Sequence, residues 1–232
     1  MINQPLIAAA QAARNAGRRL AFSPIEQRNE ALSAIRSALL RRRDDIFSAN
    51  QADMDAAQNL DAPIRKRLSF GEQKLAEVAA GIDSLISLPD PLGHTQLSTE
   101  LAPGLELYRV SCPIGVVGVI FESRPDALVQ IATLCLKSGN AALLKGGSEA
   151  QHTNAALYEA ILEGSREAGL PEGWLGMMQT RQEVSEMLQM DEWIDLIIPR
   201  GSNAFVRYIM DHSSIPVLGH ADGLCHVYVD AS

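Results

Sequence analysis

Residues 115–150, GVVGVIFESRPDALVQIATLCLKSGNAALLKGGSEA, contain a strand, a helix and a second strand in succession. The β-branched run GVVGVIF is typical of a strand that is buried on both faces. The proline of SRPD opens a helix that ends at SGN, and AALLK forms the next strand. Since two parallel strands joined through a helix require a right-handed crossover, this stretch predicts an α/β fold with a doubly wound parallel sheet.

The same alternation continues to residue 218. Further strands are predicted at residues 174–178, 194–198 and 215–218, which gives a Rossmann-like sheet of about five strands. The predicted helices between them cover 148–168, 184–189 and a segment that Gly201-Ser202 opens. We found no internal repeat in the chain.

The chain divides into four regions. Residues 1–94 have helical periodicity, with Ser23-Pro24 predicted to begin one of the helices. Residues 95–113 alternate apolar and polar residues around a Pro-Gly turn, which predicts a β-hairpin flap. Residues 114–220 form the Rossmann-like part. Residues 221–232 include VYV, a predicted strand that nothing further covers, so we expect them to begin a domain of a larger protein.

Composition excludes several classes of protein. The chain has 232 residues, 47% of them hydrophobic, and a formal net charge of -8, which gives no sign of general nucleic-acid binding. It contains no run of eighteen apolar residues, so we expect no membrane span, and its N-terminus does not resemble a signal peptide. The three cysteines form no disulfide framework, which favours reduced thiols and the cytoplasm.

Two loops that join a strand to a helix contain residues suited to binding an anion. In the first, Lys145 supplies a charge, Gly146-Gly147 allow close approach of a ligand, and Ser148 is predicted to cap the helix beside Glu149. In the second, Arg200 and the amides of Gly201 and Ser202 are suited to holding a phosphate. In an open parallel sheet both loops lie at the ligand-binding edge. The alternative is that both are ordinary loops in which glycine and serine serve as turn and cap.

The segment HADGLCH, residues 220–226, offers metal-ligating side chains, but its spacing matches no tetrahedral zinc pattern, so we predict no metal site. Cys225 lies next to His226 in sequence, which is not the spatial pairing that activates a thiol. Cys135 is expected in the core, and Cys112 ends the flap without a basic partner.

Residues 113–150, IDLIIPRGSN and GHADGLCHVYVD together resemble the γ-glutamyl phosphate reductase family of the aldehyde dehydrogenase superfamily, and IFESRP and LLKGGSEA carry the resemblance. The resemblance covers essentially the whole chain. It implies NADPH-dependent reduction of γ-glutamyl phosphate to glutamate 5-semialdehyde and phosphate in proline biosynthesis, through attack of a cysteine thiolate on the acyl phosphate. It also implies a homo-oligomer in which the hairpin flap contacts a partner subunit.

The resemblance also implies roles for individual residues. Lys145 would bind the adenosine ribose of the cofactor, with Ser148 and Glu149 bordering the same pocket. Gly146-Gly147 would leave room for a 2′-phosphate, and Gly201-Ser202 would face the pyrophosphate. Two further roles concern the substrate, for which the family pattern suggests Ser123 as an oxyanion-hole donor and Arg124 as a neighbour.

The sequence departs from the superfamily pattern in two places. Leu218-Gly219-His220-Ala221 lacks the glutamate of hydrolytic members, which suits an enzyme that must preserve its acyl intermediate. The QRPxxCN motif that holds the family's nucleophile is absent from these 232 residues. We therefore expect this chain to contain the cofactor-binding part and a truncated catalytic domain, to bind cofactor weakly and not to reduce substrate. Another acylating aldehyde dehydrogenase and a noncatalytic nucleotide-binding module remain alternatives.

Overall fold

The computed structural model describes residues 4–122, 124–219 and 226–230. The N-terminal region is helical, as predicted. Its helices are α1 (Gln4–Leu20), α2 (Ile25–Arg41), α3 (Arg43–Ala56), α4 (Ala62–Leu68) and α5 (Glu72–Ser87). None of the helices in the described ranges is both long enough and apolar enough to cross a bilayer.

A two-stranded antiparallel hairpin follows the helices. Its strands are β1 (Thr95–Ala102) and β2 (Leu105–Val110), and they turn at Gly104, whose φ of +77° is a backbone conformation that glycine adopts without a steric cost. Every residue of both strands is exposed. The hairpin that the alternating pattern predicts is therefore confirmed.

A four-stranded parallel sheet occupies the remainder of the chain. Its elements are β3 (Val116–Ile120), α6 (Pro125–Lys137), β4 (Ala141–Lys145), α7 (Gln151–Glu167), β5 (Leu175–Met178), α8 (Arg181–Met187), β6 (Leu196–Pro199) and α9 (Asn203–His212). The strand order is β5-β4-β3-β6, and all three strand pairs are parallel. The chain builds outward from β3 to β5 and then returns to the other side of β3, which places the topological switch between β3 and β6.

The sheet is covered by helices on both faces, and alternate residues of each strand enter different cores. Val117 and Val119 pack with α2, α5, α6 and α7, whereas Val116 and Ile120 pack with α1, α8 and α9. Burial on both faces explains why β3 is a continuous apolar run rather than an alternating one. The predicted α/β fold with a helical N-terminal region is confirmed.

The structure differs from the prediction at the end of the sheet. Of the predicted fifth strand, residues 215–218, only Val217 forms a bridge, to Ile197 of β6. The VYV segment, within residues 226–230, is exposed and forms no strand. A strand needs a hydrogen-bonded neighbour, and no described residue pairs with VYV.

Two predicted helix caps are also wrong. Helix α2 begins at Ile25 with Pro24 at its N-cap position, and the Ser23 hydroxyl donates to the carbonyl of Leu20 instead. Ser148 lies in a short 3₁₀ turn, Ser148–Ala150, that precedes α7, so its side chain does not cap that helix. In both places a hydroxyl near the right position has a nearer partner than the helix amides.

A buried group of cations joins the helical region to the sheet. The Lys137 ammonium donates to Asn29 Oδ1 at 2.8 Å and to the carbonyls of Ile86 and Leu88 at 3.2 and 2.9 Å. Arg28 binds the Lys137 carbonyl and Asp90. Burial and the neighbouring Arg28 charge lower the pKa of Lys137. These contacts fix the C-terminal ends of α5 and α6 against α2.

Candidate functional site

A cavity of about 540 Å³ lies where the strands of the parallel sheet end. The segments that line it follow β3, β4, β5 and β6, so all four strands contribute. Side chains of α8 and α9 close its apolar side. Its volume falls within the range of ligand pockets, and its position beside the switch between β3 and β6 is where open α/β sheets bind ligands.

Lys145 is the last residue of β4 and forms part of the cavity wall. Its side chain is largely buried, and its ammonium group donates to the carbonyl of Gly146. Its own carbonyl accepts a 2.9 Å hydrogen bond from the amide of Phe121, which continues the ladder beyond β3. The sheet therefore holds this cation at the site that the sequence predicts.

The two glycines after Lys145 are required by close neighbours. A Cβ on Gly146 would collide with the Asn154 amide and lie 3.2 Å from the Phe121 ring. A Cβ on Gly147 would collide with the carboxylate of Glu149. The space above Gly146-Gly147, which we predicted to be open, therefore contains side chains of the protein itself.

Helix α7 is capped from another helix. Both carboxylate oxygens of Asp53, on α3, accept hydrogen bonds from its first turn, at 3.1 Å from the amide of His152 and 2.8 Å from that of Thr153. The His152 ring and the Thr153 hydroxyl donate to the same carboxylate at 2.7 and 2.6 Å. The negative charge of Asp53 also favours the positive end of the helix dipole.

The second predicted loop begins α9. The Ser202 hydroxyl accepts a 3.3 Å hydrogen bond from the amide of Phe205, so its predicted capping role is confirmed. The amide of Arg200 donates to the Ile120 carbonyl at 2.7 Å, which brings the arginine to the cavity. The carboxylate of Glu122 lies beside Gly201, where a Cβ would be 3.0 Å from Glu122 Oε1.

A third carboxylate lies beneath α8. Glu183 accepts from the amides of Thr180 and Gln179 at 2.6 and 2.8 Å and completes a capping box with Thr180. Burial raises the pKa of Glu183, but these amides, with a contribution from the charge of Lys145, bring it below its usual value. The carboxylate is thus ionised at neutral pH and adds to the negative potential around Lys145.

The structure separates the predicted substrate residue from the cofactor residues. The Arg124 guanidinium is exposed, lies 3.2 Å from Asp126 Oδ2 and is not part of the cavity wall. Ser123, the predicted oxyanion-hole donor, lies outside the described residues, as do His220, Asp222 and Cys225. The structure brings together Lys145, Gly147, Ser148, Glu149 and Arg200 around one cavity.

Sequence reasoning missed four residues at this edge of the sheet. They are Glu122, Gln179, His152 and Asp53. Glu122 and Gln179 directly follow predicted strands, so their positions carried a signal. Asp53 carried none, because it is about one hundred residues away from the helix that it caps.

Comparison with known proteins gives consistent relatives. The sequence model of the aldehyde dehydrogenase family matches residues 3–220. A γ-glutamyl phosphate reductase from Acetivibrio thermocellus is 60% identical over 214 residues, which are 91% of this chain and 50% of that protein. One from Natronomonas pharaonis is 49% identical over 94% of this chain and 51% of that protein. The chain thus spans about half the length of the curated relatives it matches.

Solved structures show the same similarity. The γ-glutamyl phosphate reductase of Thermotoga maritima superimposes with a TM-score of 0.88 at 34% identity, covering 92% of this chain and 52% of that chain. The corresponding protein of Saccharomyces cerevisiae also gives 0.88, at 40% identity and with coverages of 96% and 57%.

Proposed function

Because the chain belongs to the aldehyde dehydrogenase family, we propose that it carries the NADPH-binding part of an oxidoreductase that reduces γ-glutamyl phosphate to glutamate 5-semialdehyde and phosphate in proline biosynthesis, in the cytoplasm. The observation that carries the proposal is the cavity at the four strand ends, with Lys145 in its wall. The bound cofactor would supply the hydride. The residues of this chain bind and orient it.

The roles of the cavity residues follow from their chemistry. Lys145 donates to the hydroxyls of the adenosine ribose, because its ammonium is the cation fixed nearest the end of β4. Ser148 and Glu149 border the ribose. Arg200 and the start of α9 at Gly201-Ser202 hold the pyrophosphate, since a guanidinium and free helix amides both attract phosphate oxygens. The apolar side formed by α8 and α9 accepts the adenine ring.

Titration of the chain with NADPH tests this function. We expect saturable binding that is competed by the adenosine half of the cofactor alone, since the predicted contacts lie at that half. Binding that survives replacement of Arg200 with glutamate would place the nucleotide elsewhere. The glutamate reverses the charge beside the pyrophosphate, and we expect it to abolish measurable binding.

Glu149 should control the choice between NADPH and NADH. Its carboxylate above Gly147 can accept from ribose hydroxyls but repels a 2′-phosphate. We expect Glu149→Gln to raise the affinity for NADPH relative to NADH by about fivefold, which corresponds to about 1 kcal/mol for removing one solvated like-charge contact. Fluorescence titration with both cofactors measures this ratio. Glu159→Gln, the same change on an exposed part of α7, is the matched control, and equal ratios in the two variants would contradict the role.

The cysteines of the described ranges do not supply the thiolate that attacks the substrate. Cys135 packs against the main core, and burial raises the pKa of its thiol to about 12. Cys112 is exposed at the end of the hairpin, away from the cavity. We therefore propose that the 232 residues alone bind cofactor without reducing substrate. Formation of semialdehyde by this chain would contradict that part of the proposal.

The hairpin supports a homo-oligomer. Leucine side chains at positions 97, 101, 105 and 107 are each more than half exposed, and they form an apolar surface on strands β1 and β2. Since a two-stranded hairpin is at best marginally stable in water, contact with a partner subunit would both bury this surface and hold the hairpin in place.

A further inference from the structure

A second, smaller cavity adjoins the first. It has a volume of about 270 Å³ and shares the segment from Lys145 to Ser148 with the larger cavity. Its remaining wall is formed by the start of α7 and the end of β5, including Gln151, His152, Asn154 and Gln179. A group attached to a ribose at Lys145 could therefore enter either cavity.

The two cavities differ in charge. Glu122 and Glu149 line the larger one, and their carboxylates would oppose a phosphate dianion. In the described part of the chain, no aspartate or glutamate lines the smaller one, whose ionisable residues are Lys145 and His152. Coulomb attraction therefore favours the smaller cavity for any additional phosphate that the ribose carries.

His152 is held in a fixed orientation. Its Nδ1 lies 2.7 Å from Asp53 Oδ1, and Asp53 is buried, so the ring has lost much of its rotational freedom. Because a carboxylate accepts hydrogen bonds, Nδ1 is the donor in this pair, and Nε2 of the half-exposed ring remains for a ligand. Asp53 also stabilises the imidazolium form, which can donate to a phosphate oxygen.

Asn154 provides an independent indication of a ligand. It is 3% exposed, and its Oδ1 has no hydrogen-bond partner among the described residues. Buried amide oxygens without a donor are uncommon in folded proteins. A ribose hydroxyl at the edge of the smaller cavity would supply that donor.

We propose that the smaller cavity is the 2′-phosphate subsite of the cofactor and that His152, oriented by Asp53, distinguishes a 2′-phosphorylated adenosine nucleotide from an unphosphorylated one. This inference rests on the proposed cofactor-binding function. It assigns opposite roles to the two sides of the Lys145 loop: Glu149 disfavours a 2′-phosphate in the larger cavity, and His152 binds it in the smaller one.

The test compares 2′,5′-ADP with 5′-AMP, which differ only in the 2′-phosphate. Calorimetric titration of the full chain with each ligand should show that His152→Gln weakens 2′,5′-ADP binding at least about tenfold, the effect of losing one charge-assisted hydrogen bond. The dissociation constant of 5′-AMP should stay within about twofold of its original value. His152→Lys should retain most of the preference, because it keeps a cation at the site. His94→Gln, which changes a histidine outside both cavities, is the control.

The outcomes separate the two proposals. If neither ligand binds the unaltered chain, the cofactor-binding function and the subsite are both wrong. If 5′-AMP binds but His152→Gln weakens both ligands equally, or neither, the function stands and the subsite is overturned. If His152→Gln fails to fold, His152→Lys decides: its retention of the preference supports the subsite, and its loss overturns it.

Discussion

Replacing Lys145 with alanine is expected to weaken NADPH binding by about 10- to 150-fold, which corresponds to about 1.5–3 kcal/mol for a hydrogen bond that involves a charged group. The ammonium is fixed at the end of a strand that is paired on both sides, so no neighbouring cation can take its place without moving the sheet. Removing it also leaves the nearby carboxylates Glu149 and Glu183 without a compensating charge.

Two variants separate charge from packing in this experiment. Lys145→Met keeps most of the side-chain volume and should bind NADPH as weakly as Lys145→Ala does. Lys74→Ala removes an exposed lysine on α5 and should leave the affinity unchanged. Isothermal titration gives the constants. An alanine variant with the original affinity would show that the cofactor does not contact Lys145, and the proposed site would fail.

Gly164→Ala is expected to destabilise the fold by about 3 kcal/mol, at the upper end of the usual cost of overpacking. Gly164 lies where α7 crosses α2, and a Cβ there would be 2.5 Å from both Cα and N of Ile35 and 2.7 Å from the carbonyl carbon of Ala34. These are backbone atoms, which cannot change rotamer. The two helices must therefore separate, and both belong to the main core.

The matched control for this prediction is Gly81→Ala on α5. A Cβ at Gly81 meets nothing within 4 Å, so this substitution should stabilise the protein by up to about 1 kcal/mol through the higher helix propensity of alanine. Urea unfolding monitored by circular dichroism gives both free energies of unfolding. Equal stabilisation by the two substitutions would mean that α2 and α7 are not as close as the structure shows.

Most of the fold could be predicted from the sequence because its signals are local. The apolar run of β3 indicates burial on both faces, and the glycine turn of the hairpin is visible as Pro-Gly. The fifth strand was predicted as fully formed because IPVL has the composition of a strand. Composition does not reveal how many ladder hydrogen bonds such a segment makes, and here it makes one bridge, at Val217.

The candidate site was predicted less completely. Lys145 and Ser202 could be identified because each lies at a junction between a strand and a helix that the chain itself marks. The position of Glu149 above Gly147 depends on side-chain packing, and so does the separation of Arg124 from the cavity. A residue's place in a motif therefore indicated its neighbourhood but not the direction of its side chain.

The sequence by itself determined the succession of strands and helices and the location of a cation at a strand end, because periodicity, turn residues and helix starts act over a few residues. Only the tertiary structure decided which distant groups meet at that strand end. Asp53 reaches the first turn of α7 because α3 packs against it, and this contact fixes His152 beside the smaller cavity. Such contacts depend on the three-dimensional path of the backbone, which no spacing along the chain records.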